Sequence, residues 1–460
     1  MKLVVIGAGI SGLCAALEAS RLAPAPEVEI LEAGNSAGGV ISTFRSGGFI
    51  LERGPDSFFA DAETVDFISG LNSPPSLEAT SESGRRVFLM EGGRMTALPD
   101  GFFIMTPRKI LPFLASPLFS LRGKLRALAE PFVPARAEGG DESAASFVRR
   151  RFGDEILQKA AAPLIGGIYC ASPDVLGAGA VLREFVKMEK NSGSVLRSVL
   201  FDGADKGGGG ARFGAFLSPK GGMSEIVEAV LRSLPGGCVR TGFCVSEIRK
   251  KSGVWEIASQ DGGVAEADAV VVAAPCRAAA RMLENAGGGL SRLLSSVNYS
   301  SCAVASLAYK AGGLPRAPDG FGVLFPRAGE GEVFACSFQS RKFPRTAPPG
   351  FSVARFFMAG GDVCAMDDSE IILRARRKAE EVFGATEPPE MSAVGNYGGA
   401  MPVCGVGHGD IVARINEAAA GLGGVAFAGG AFGGVGIGDC IRSGRRASRR
   451  LSLGRRGGKV

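Results

Sequence analysis

The residues best placed to do chemistry lie near the start of the chain, where Gly7, Gly9 and Gly12 recur at a fixed spacing and are followed by Glu32. The first glycine allows a tight turn, the second lets the main chain approach a pyrophosphate, and the third lets a helix pack closely on a strand. A carboxylate about twenty residues further on is placed to accept hydrogen bonds from ribose hydroxyls. This spacing therefore predicts a dinucleotide site on a helix N-terminus.

The elements around these glycines support that prediction, which the spacing alone would not do in a chain with 69 glycines. The apolar run 2–6 predicts a buried parallel strand. Residues 13–23 have a helical composition, and a second apolar run, 28–31, ends at Glu32. Strand, turn, helix, strand and acid therefore occur in the order that a dinucleotide site requires.

Further glycine segments indicate which dinucleotide is bound. After Glu32 comes a short loop that ends in Gly38 and Gly39, and the run 54–57 (Gly-Pro-Asp-Ser) follows. Far along the chain, an apolar run leads into a second glycine-rich turn at 434–441. This order resembles the flavin-binding amine oxidase superfamily, in which the second glycine pair lies against the flavin pyrophosphate and ribityl chain. The resemblance implies FAD, because an ordinary NAD dehydrogenase would not need that pair.

In more detail, the chain resembles the oxygen-dependent porphyrinogen oxidases of haem biosynthesis, which aromatise protoporphyrinogen IX or coproporphyrinogen III. The resemblance covers nearly the whole chain and is carried by residues 51–58, 97–101, 147–153, 163–169, 221–223, 400–402, 406–408 and 434–441. It implies an α/β fold in which a Rossmann-like FAD-binding domain is interleaved with a mixed-sheet (α+β) substrate domain and a helical segment of membrane-binding type. It also implies a six-electron dehydrogenation of a porphyrinogen by molecular oxygen, with hydrogen peroxide as by-product.

The same resemblance assigns contacts residue by residue. For FAD it implies Gly7, Ala8, Gly9, Ile10, Ser11, Gly12, Glu32, Ala33, Gly38, Gly39, Gly54, Pro55, Asp56, Ser57, Val245, Tyr397, Val435, Gly436 and Ile437. For the tetrapyrrole it implies Gly167, Phe321, Leu324 and Met358. The position at which some members have an Arg that pairs with a propionate falls on Val87, and the neighbouring Arg86 is the candidate partner. The chain departs from the family pattern at Tyr397, Cys404 and Gly438, where Trp, Tyr and Pro respectively are common.

No group of side chains predicts a dedicated acid or base, so no catalytic residue is assigned. The acidic pairs Asp141/Glu142 and Asp367/Asp368 have the positions of helix starts or solvated loops. The single histidine, His408, is either a base or a core or turn histidine near the cofactor domain. Hydride loss from a strained macrocycle needs no such group, because the cofactor carries the difficult step.

Composition excludes several other classes of protein. With 460 residues, 46% of them hydrophobic, the chain can fold into two or three packed domains. One histidine and ten scattered cysteines exclude a zinc site built on several histidines and predict no metal. The cysteine usage indicates a reducing, cytoplasmic compartment. Nothing predicts nucleic-acid binding, and the eight basic residues after residue 440 form either a solvated tail or a contact for an anionic partner.

The resemblance also implies the domain organisation. The FAD-binding domain is expected from residues 1–72, 220–295 and 395–460, the substrate domain from 73–99 and 296–394, and the helical unit from 100–210. Within the helical unit, residues 101–134 interleave apolar and basic side chains, which suits either a bilayer interface or a core-facing helical pair. Because the family is often membrane-associated, peripheral contact with the inner face of a membrane is expected.

The sequence is compatible with three functions. The leading one is porphyrinogen oxidation, with the choice between protoporphyrinogen and coproporphyrinogen left open, as are monomer and homodimer. The second is another flavin-dependent amine oxidase or a carotenoid desaturase, against which residues 163–169 and 434–441 argue. The third is a non-catalytic protein that binds a flavin or a haem precursor.

Overall fold

The computed structural model describes residues 1–136, 139–201, 216–287, 289–326, 328–329 and 331–453. Its α-helices are α1 Ile10–Ser20, α2 Ala62–Ser69, α3 Ile110–Ala115, α4 Leu121–Leu128, α5 Ala144–Phe152, α6 Asp154–Ile156, α7 Ala162–Tyr169, α8 Ala178–Val181, α9 Arg183–Ser192, α10 Val195–Phe201, α11 Ser224–Ser233, α12 Cys276–Met282, α13 Leu290–Ser295, α14 Gln339–Lys342, α15 Asp368–Lys378, α16 His408–Leu422 and α17 Ile437–Leu453.

Its β-strands are β1 Lys2–Ile6, β2 Glu27–Leu31, β3 Thr43–Ser46, β4 Phe49–Glu52, β5 Phe58–Phe59, β6 Leu77–Ala79, β7 Val87–Glu91, β8 Arg94–Ala97, β9 Phe102–Phe103, β10 Thr106–Pro107, β11 Phe216–Pro219, β12 Val239–Arg240, β13 Val245–Lys251, β14 Val254–Ser259, β15 Val264–Ala267, β16 Ala269–Val272, β17 Tyr299–Lys310, β18 Gly322–Leu324, β19 Val333–Phe338, β20 Phe351–Ala359, β21 Met391–Pro402 and β22 Val425–Phe427.

A parallel sheet in the order β12-β2-β1-β16-β22 joins strands that are far apart in the sequence. Residues 3–6 of β1 are buried, and the strand pairs with β2 on one side and β16 on the other. Helices α1, α11 and α17 cover one face of the sheet, and α12, α13, α16 and the β13–β15 sheet cover the other. A strand that is covered on both faces is apolar over its covered residues, which in β1 are residues 3–6, as the run 2–6 predicted.

A second sheet, in the order β21-β17-β20-β19-β18-β7-β8, is antiparallel except where β18 pairs with β7. Helix α15 packs on one of its faces, where Ile371 and Ala375 join the core of the sheet. Strand β21 is one edge, so this sheet extends beyond the expected boundary at residue 394. Strand β6 lies elsewhere, in a small sheet with β5 and β11. The expected α/β class, with a Rossmann-like domain and a mixed-sheet domain, is confirmed.

Helices α3 to α10 form a third unit around a separate apolar core. The unit begins with the β9–β10 hairpin, not with a helix. At its centre Arg151 and Glu130 are fully buried and hydrogen-bonded to each other, and Ser194 Oγ donates a further bond of 2.5 Å to Glu130. Among the described helices, none combines the length and the apolar character needed to cross a bilayer.

The basic stretch after residue 440 is largely a folded helix. Arg445 and Arg449 of α17 pair with Glu18 of α1, and Arg442 pairs with Asp61. The two helices approach so closely that a Cβ at Gly444 would lie 2.0 Å from the carbonyl oxygen of Ser11. Up to residue 453, this stretch is therefore not a solvated tail, which was one of the two alternatives. The later residues, and the glycine-rich stretch 203–210, lie outside the described parts of the chain.

Candidate active site

One continuous cavity of about 890 Å³ connects the parallel sheet with the seven-stranded sheet. At one end it is lined by the turn that follows β1, and at the other by residues of β17, β19, β20 and β21. The carboxyl ends of β1, β16 and β22 open into it, which is where open α/β sheets bind their ligands. The cavity therefore has two ends. We call the end at the turn after β1 the nucleotide end, and the end at β17, β19, β20 and β21 the sheet-walled end.

At the nucleotide end the three glycines of the first motif have separable roles. Gly7 has a φ of +99°, which favours glycine, and its N–H donates to the carbonyl of Leu31. A Cβ at Gly12 would lie 1.9 Å from the carbonyl oxygen of Gly7, so only glycine allows this packing of helix on turn. A Cβ at Gly9 would meet no protein atom within 4 Å and would instead occupy the cavity.

The start of α1 fits an anion. Gly9 is its N-cap residue and supplies no side-chain cap, so first-turn N–H groups are left without a capping side chain at the cavity. Ile10 and Ser11 of this first turn line the cavity. Free N–H groups and the helix dipole together favour a phosphate at such a terminus. The residues present therefore fit the pyrophosphate of a dinucleotide.

Glu32 and Ala33 line the cavity beside this turn. The Glu32 carboxylate accepts one hydrogen bond of 2.7 Å from the N–H of Ala8 and another of 2.7 Å from the N–H of Gly34. It thus fixes the turn and retains lone pairs for hydroxyl donors. Ala8 itself does not line the cavity, and its predicted contact with the cofactor is replaced by this hydrogen bond to Glu32.

The second glycine pair packs directly on the first motif. Gly38 donates its N–H to the carbonyl of Ala8, and a Cβ at Gly39 would lie 3.3 Å from the Cα of Gly9. Both have positive φ, +121° and +60°. The cavity is therefore bordered here by main chain alone, which lets an extended ligand lie close to the protein.

The run 54–57 contributes Gly54, Pro55 and Ser57 to the cavity wall, whereas Asp56 points away from it. The Asp56 carboxylate is buried against Lys342 Nζ at 2.6 Å and Arg355 Nη1 at 3.1 Å. Burial raises the pKa of Asp56, but the two cations outweigh that effect and hold its pKa well below the usual range. Asp56 is thus an anchor of the loop and not a wall residue.

The loop is anchored to β20 by a second contact, since Arg355 also donates to the carbonyl of Gly54. Just before the loop, Glu52 is buried and accepts hydrogen bonds of 2.8 Å from the Met223 N–H and the Thr43 hydroxyl. Burial raises the pKa of Glu52 to about 7. Two buried ionisable groups, Glu52 and Asp56, therefore support the 54–57 loop without lining the cavity.

The sheet-walled end is apolar and aromatic. Tyr397 of β21 belongs to this end, and Val435, Gly436 and Ile437, which were also expected near a flavin ring, line the same cavity. Further wall residues that the sequence did not point to are Cys170, Tyr299, Cys302, Phe334, Phe357, Met401 and Phe432. Tyr397 donates a hydrogen bond of 3.3 Å to the carbonyl of Val40, and burial raises its pKa to about 12.

Of the residues expected to contact the tetrapyrrole, Gly167 lines the cavity and Leu324 lies directly behind it, 3.7 Å from the position of a Gly167 Cβ. Phe321 and Met358 are buried and do not line it. Arg86 is also outside the wall, and its guanidinium pairs with exposed Asp319 at 2.6 Å. The structure therefore does not bring Phe321, Met358 and Arg86 to this site.

Met358 lies outside the cavity wall for a simple reason. Successive residues of a strand point to opposite faces of a sheet, so Phe357 faces the cavity while Met358 joins the core under α15. Arg355, two residues before Phe357, faces the same side and reaches the 54–57 loop. An assignment that is shifted by one residue therefore exchanges a wall residue for a core residue.

The opposite end of the cavity surrounds Val245, which lines it as expected. Ser246, Gln260 and Arg281 line the same end. Ser246 lies on β13, Gln260 in the turn after β14 and Arg281 on α12. No motif surrounds them, so the sequence carried no signal for them. Their hydroxyl, amide and guanidinium groups can hydrogen-bond to a nucleoside.

No carboxylate or imidazole lines the sheet-walled end among the described residues, whose titratable groups there are tyrosines and cysteines. His408 is buried and its Nε2 lies 2.7 Å from the carbonyl oxygen of Ala431, so it fastens α16 to the cavity loop. Asp141 accepts from the N–H groups of Gly179 and Gly407, and Asp367 caps α15. The hydrogen bonds of these three residues therefore hold helices and loops in place.

Comparison with known proteins agrees with this geometry. The model of the family described as flavin containing amine oxidoreductase matches residues 10–452. The chain is 30% identical over 458 residues to the coproporphyrinogen III oxidase of Bacillus subtilis (strain 168), covering 96% of each chain. It is 28% identical over 483 residues to the protoporphyrinogen oxidase of Bos taurus, covering 97% of this chain and 98% of the other.

Among solved structures, a protein of Exiguobacterium sp. 255-15 that is provisionally named a protoporphyrinogen oxidase superposes with a TM-score of 0.85. It is 26% identical, and the alignment covers 98% of each chain. The glycine turns, the uncapped helix start and the continuous cavity thus occur in a chain that matches one family model over almost its full length. The chain belongs to the flavin-containing amine oxidoreductase family.

Proposed function

We propose that this chain uses FAD and molecular oxygen to oxidise a porphyrinogen to the porphyrin. The observation that carries the proposal is the single cavity that joins a dinucleotide-type turn to an apolar, aromatic wall. Such a wall suits a large uncharged ring system better than a small amine, because its described residues offer no carboxylate to an ammonium group. The porphyrinogen oxidase names of the relatives support the same substrate class.

We assign the pyrophosphate of FAD to the start of α1, and the ribose of its adenosine half to Glu32. Gly39, Gly54 and Pro55 border the middle of the ligand, and Val435 to Ile437 border the ring. The chemistry that bound FAD would supply is hydride acceptance from the macrocycle and electron transfer to oxygen, and three such rounds would remove six hydrogens and give three molecules of hydrogen peroxide.

The chain's own contribution is to orient the macrocycle and to exclude water. Phe334 and Phe357 offer an apolar surface from neighbouring strands, and Gly167 leaves room for a ring edge because it has no side chain. Tyr299 is held in place by the Cys276 N–H, which donates to its hydroxyl oxygen at 2.8 Å. Apolar walls of this kind lower the local dielectric constant and keep competing proton transfers out.

The decisive experiment is an aerobic assay of the purified protein with coproporphyrinogen III and, separately, protoporphyrinogen IX, followed by porphyrin fluorescence. We expect porphyrin to form faster than by autoxidation with at least one substrate, together with oxygen consumption. The ratio of kcat/KM for the two substrates identifies the physiological one. Formation of porphyrin at the autoxidation rate with both would overturn the proposal, and oxidation of a primary amine instead would favour the amine oxidase alternative.

We further propose peripheral contact with a membrane through the segment 101–134. Its apolar side chains divide into two sets, since Phe113, Leu118 and Phe119 are buried in the helical core while Leu111, Leu121, Leu125 and Phe132 are exposed. Exposed leucines on α3 and α4 lie beside the basic residues Lys109 and Arg122, which are also exposed. Apolar side chains flanked by cations suit the interface of an anionic bilayer.

Flotation with vesicles of phosphatidylglycerol and phosphatidylcholine tests this contact. The double variant Leu121→Ser/Leu125→Ser should lose vesicle binding, because both side chains are solvent-facing and their removal leaves the core intact. Leu373→Ser, at an exposed position of α15, is the matched control and should bind like the parent. If all three proteins float equally, or if the parent protein does not float, membrane contact through the segment 101–134 is contradicted.

A further inference from the structure

The 54–57 loop rests on the same sheet face that forms the aromatic wall. Strands β17 and β20 pair antiparallel, with Val304 opposite Phe357 and Ser306 opposite Arg355. Val304 and Phe357 line the cavity. Residues directly opposite each other in paired strands share a face of the sheet, and so do residues two apart along one strand. Ser306 and Arg355 therefore continue the cavity face of the sheet just beyond the wall.

Both of these side chains hold the main chain at the start of the loop. Ser306 Oγ donates a hydrogen bond of 2.6 Å to the carbonyl of Glu52, and the Arg355 guanidinium donates to the carbonyl of Gly54. Ser306 and Arg355 are both buried. Because Gly54 lines the cavity, these two bonds fix a part of its wall to the seven-stranded sheet.

Arg355 also contacts the aromatic wall. The central carbon of its guanidinium lies 5.0 Å from the centroid of the Phe357 ring. A planar guanidinium can stack on an aromatic face while its N–H groups donate in fixed directions. One side chain thus contacts Gly54, on the side assigned to the cofactor, and Phe357, on the side assigned to the substrate.

The stability of the loop does not by itself account for an arginine at this position. Asp56 also pairs with Lys342, so its carboxylate would keep a cation without Arg355. Arg355 Nε is buried and has no hydrogen-bond partner among the residues that the structure describes, which lowers stability. Lys342 lies over the ring of Phe343, which is not a wall residue. Arg355 differs from Lys342 in its contact with both sides of the cavity.

We propose that Arg355, assisted by Ser306, is a positioning residue that sets the distance between the flavin ring and the substrate. The inference rests on the proposed function, because it uses the assignment of FAD to Gly54 and of the macrocycle to Phe357. A misplacement of about 1 Å can lower the rate of a chemical step by roughly a hundredfold. A shift of the 54–57 loop on the sheet would change this distance and leave both surfaces present, so the loss should appear in kcat and not in KM.

The first test needs no porphyrinogen. The visible circular dichroism of bound FAD, which reports the surroundings of the flavin ring, is compared among the parent, Arg355→Met, Ser306→Ala and Lys342→Met. We expect a changed flavin spectrum in Arg355→Met and a smaller change in Ser306→Ala, which removes one hydrogen bond and no charge. Lys342→Met is the matched control and should give the parent spectrum, because it removes only the other cation at Asp56.

Three results of this test would overturn the proposal. The parent spectrum in both Arg355→Met and Ser306→Ala would show that the two contacts do not position the ring. An equal change in Lys342→Met would assign the effect to the anchoring of Asp56 instead. If Arg355→Met does not fold, the comparison of Ser306→Ala with Lys342→Met decides, and identical spectra in these two variants would refute positioning.

A second arm separates this inference from the proposed function. Anaerobic stopped-flow mixing with a porphyrinogen measures the limiting rate of flavin reduction and the substrate concentration at half of that rate. In Arg355→Met the limiting rate should fall at least about tenfold, while the half-saturating concentration stays within about twofold. An unchanged limiting rate with a raised half-saturating concentration would overturn the positioning role. If the parent flavin is not reduced, the proposed function fails, whereas the spectra still decide the role of Arg355.

Discussion

The two ends of the cavity are built from different materials. At the nucleotide end the wall is mainly main chain, and each glycine has a local reason to be there, such as the 1.9 Å approach at Gly12. At the sheet-walled end the wall is made of side chains from strands that are distant in sequence, such as Tyr299 of β17 and Tyr397 of β21. A local motif can specify the first kind of site. The second depends on strand register, which a motif does not contain.

The largest expected effect separates two glycines of the same motif. Gly12→Ala should destabilise the protein by about 3 kcal/mol or more, because the new Cβ would overlap the Gly7 carbonyl. Gly9→Val should leave the protein soluble and folded but without flavin, because its side chain would fill only the cavity. Thermal unfolding of both variants and the flavin released on denaturation measure the difference. Normal flavin content in Gly9→Val would remove the pyrophosphate assignment.

Neighbouring residues of β20 give the corresponding comparison at the other end. Met358→Ala should lower the free energy of unfolding by about 2–5 kcal/mol, because this fully buried side chain leaves a core cavity. Phe357→Ala should destabilise less but raise the KM for a porphyrinogen, because Phe357 is on the wall. Urea unfolding and steady-state assays measure the two effects. A larger rise in KM for Met358→Ala would show that the face assignment is reversed.

The buried carboxyl group of Glu52, just before the 54–57 loop, predicts that the stability of the protein depends on pH. Its pKa is raised to about 7, so the folded state holds a proton that the unfolded state has lost. Stability should therefore fall as the pH rises from the ordinary carboxyl value of 4.5 to about 7, by roughly 3 kcal/mol in total. Glu52→Gln, which keeps an acceptor for the Met223 N–H, should flatten this slope in urea titrations. An unchanged slope would mean that Glu52 is ionised in the folded protein. Asp56, with its lowered pKa, acts below this window.

The smallest effect concerns Arg86. Its pair with Asp319 is exposed, so Arg86→Met should change stability by less than about 1 kcal/mol. Because the side chain is not on the cavity wall, the KM for a porphyrinogen should not change. A raised KM would place a propionate near Arg86 and would extend the sheet-walled end beyond the described wall.

The contrast between the nucleotide end and the sheet-walled end also explains which parts of the structure could be predicted from the sequence. The parallel strands, the glycine turns and Glu32 were predictable because each obeys a local rule about backbone space or burial. The seven-stranded sheet was predictable as strands, but the choice between Phe357 and Met358 depends on which face α15 covers. The anchoring of Asp56 by Lys342 and Arg355 was not predictable, since these cations lie almost three hundred residues away.

The order of strands in the parallel sheet has a consequence for how the protein is made. Strand β1 is completed first, yet it pairs with β16, and β16 in turn pairs with β22. At roughly 5–20 residues per second of synthesis, β1 waits for tens of seconds before the last of these strands leaves the ribosome. Helix α17, which packs against α1, comes later still. During that interval the nascent chain exposes an apolar strand and lacks residues 435–437 of the cavity wall. We therefore expect stable FAD binding only at the end of translation.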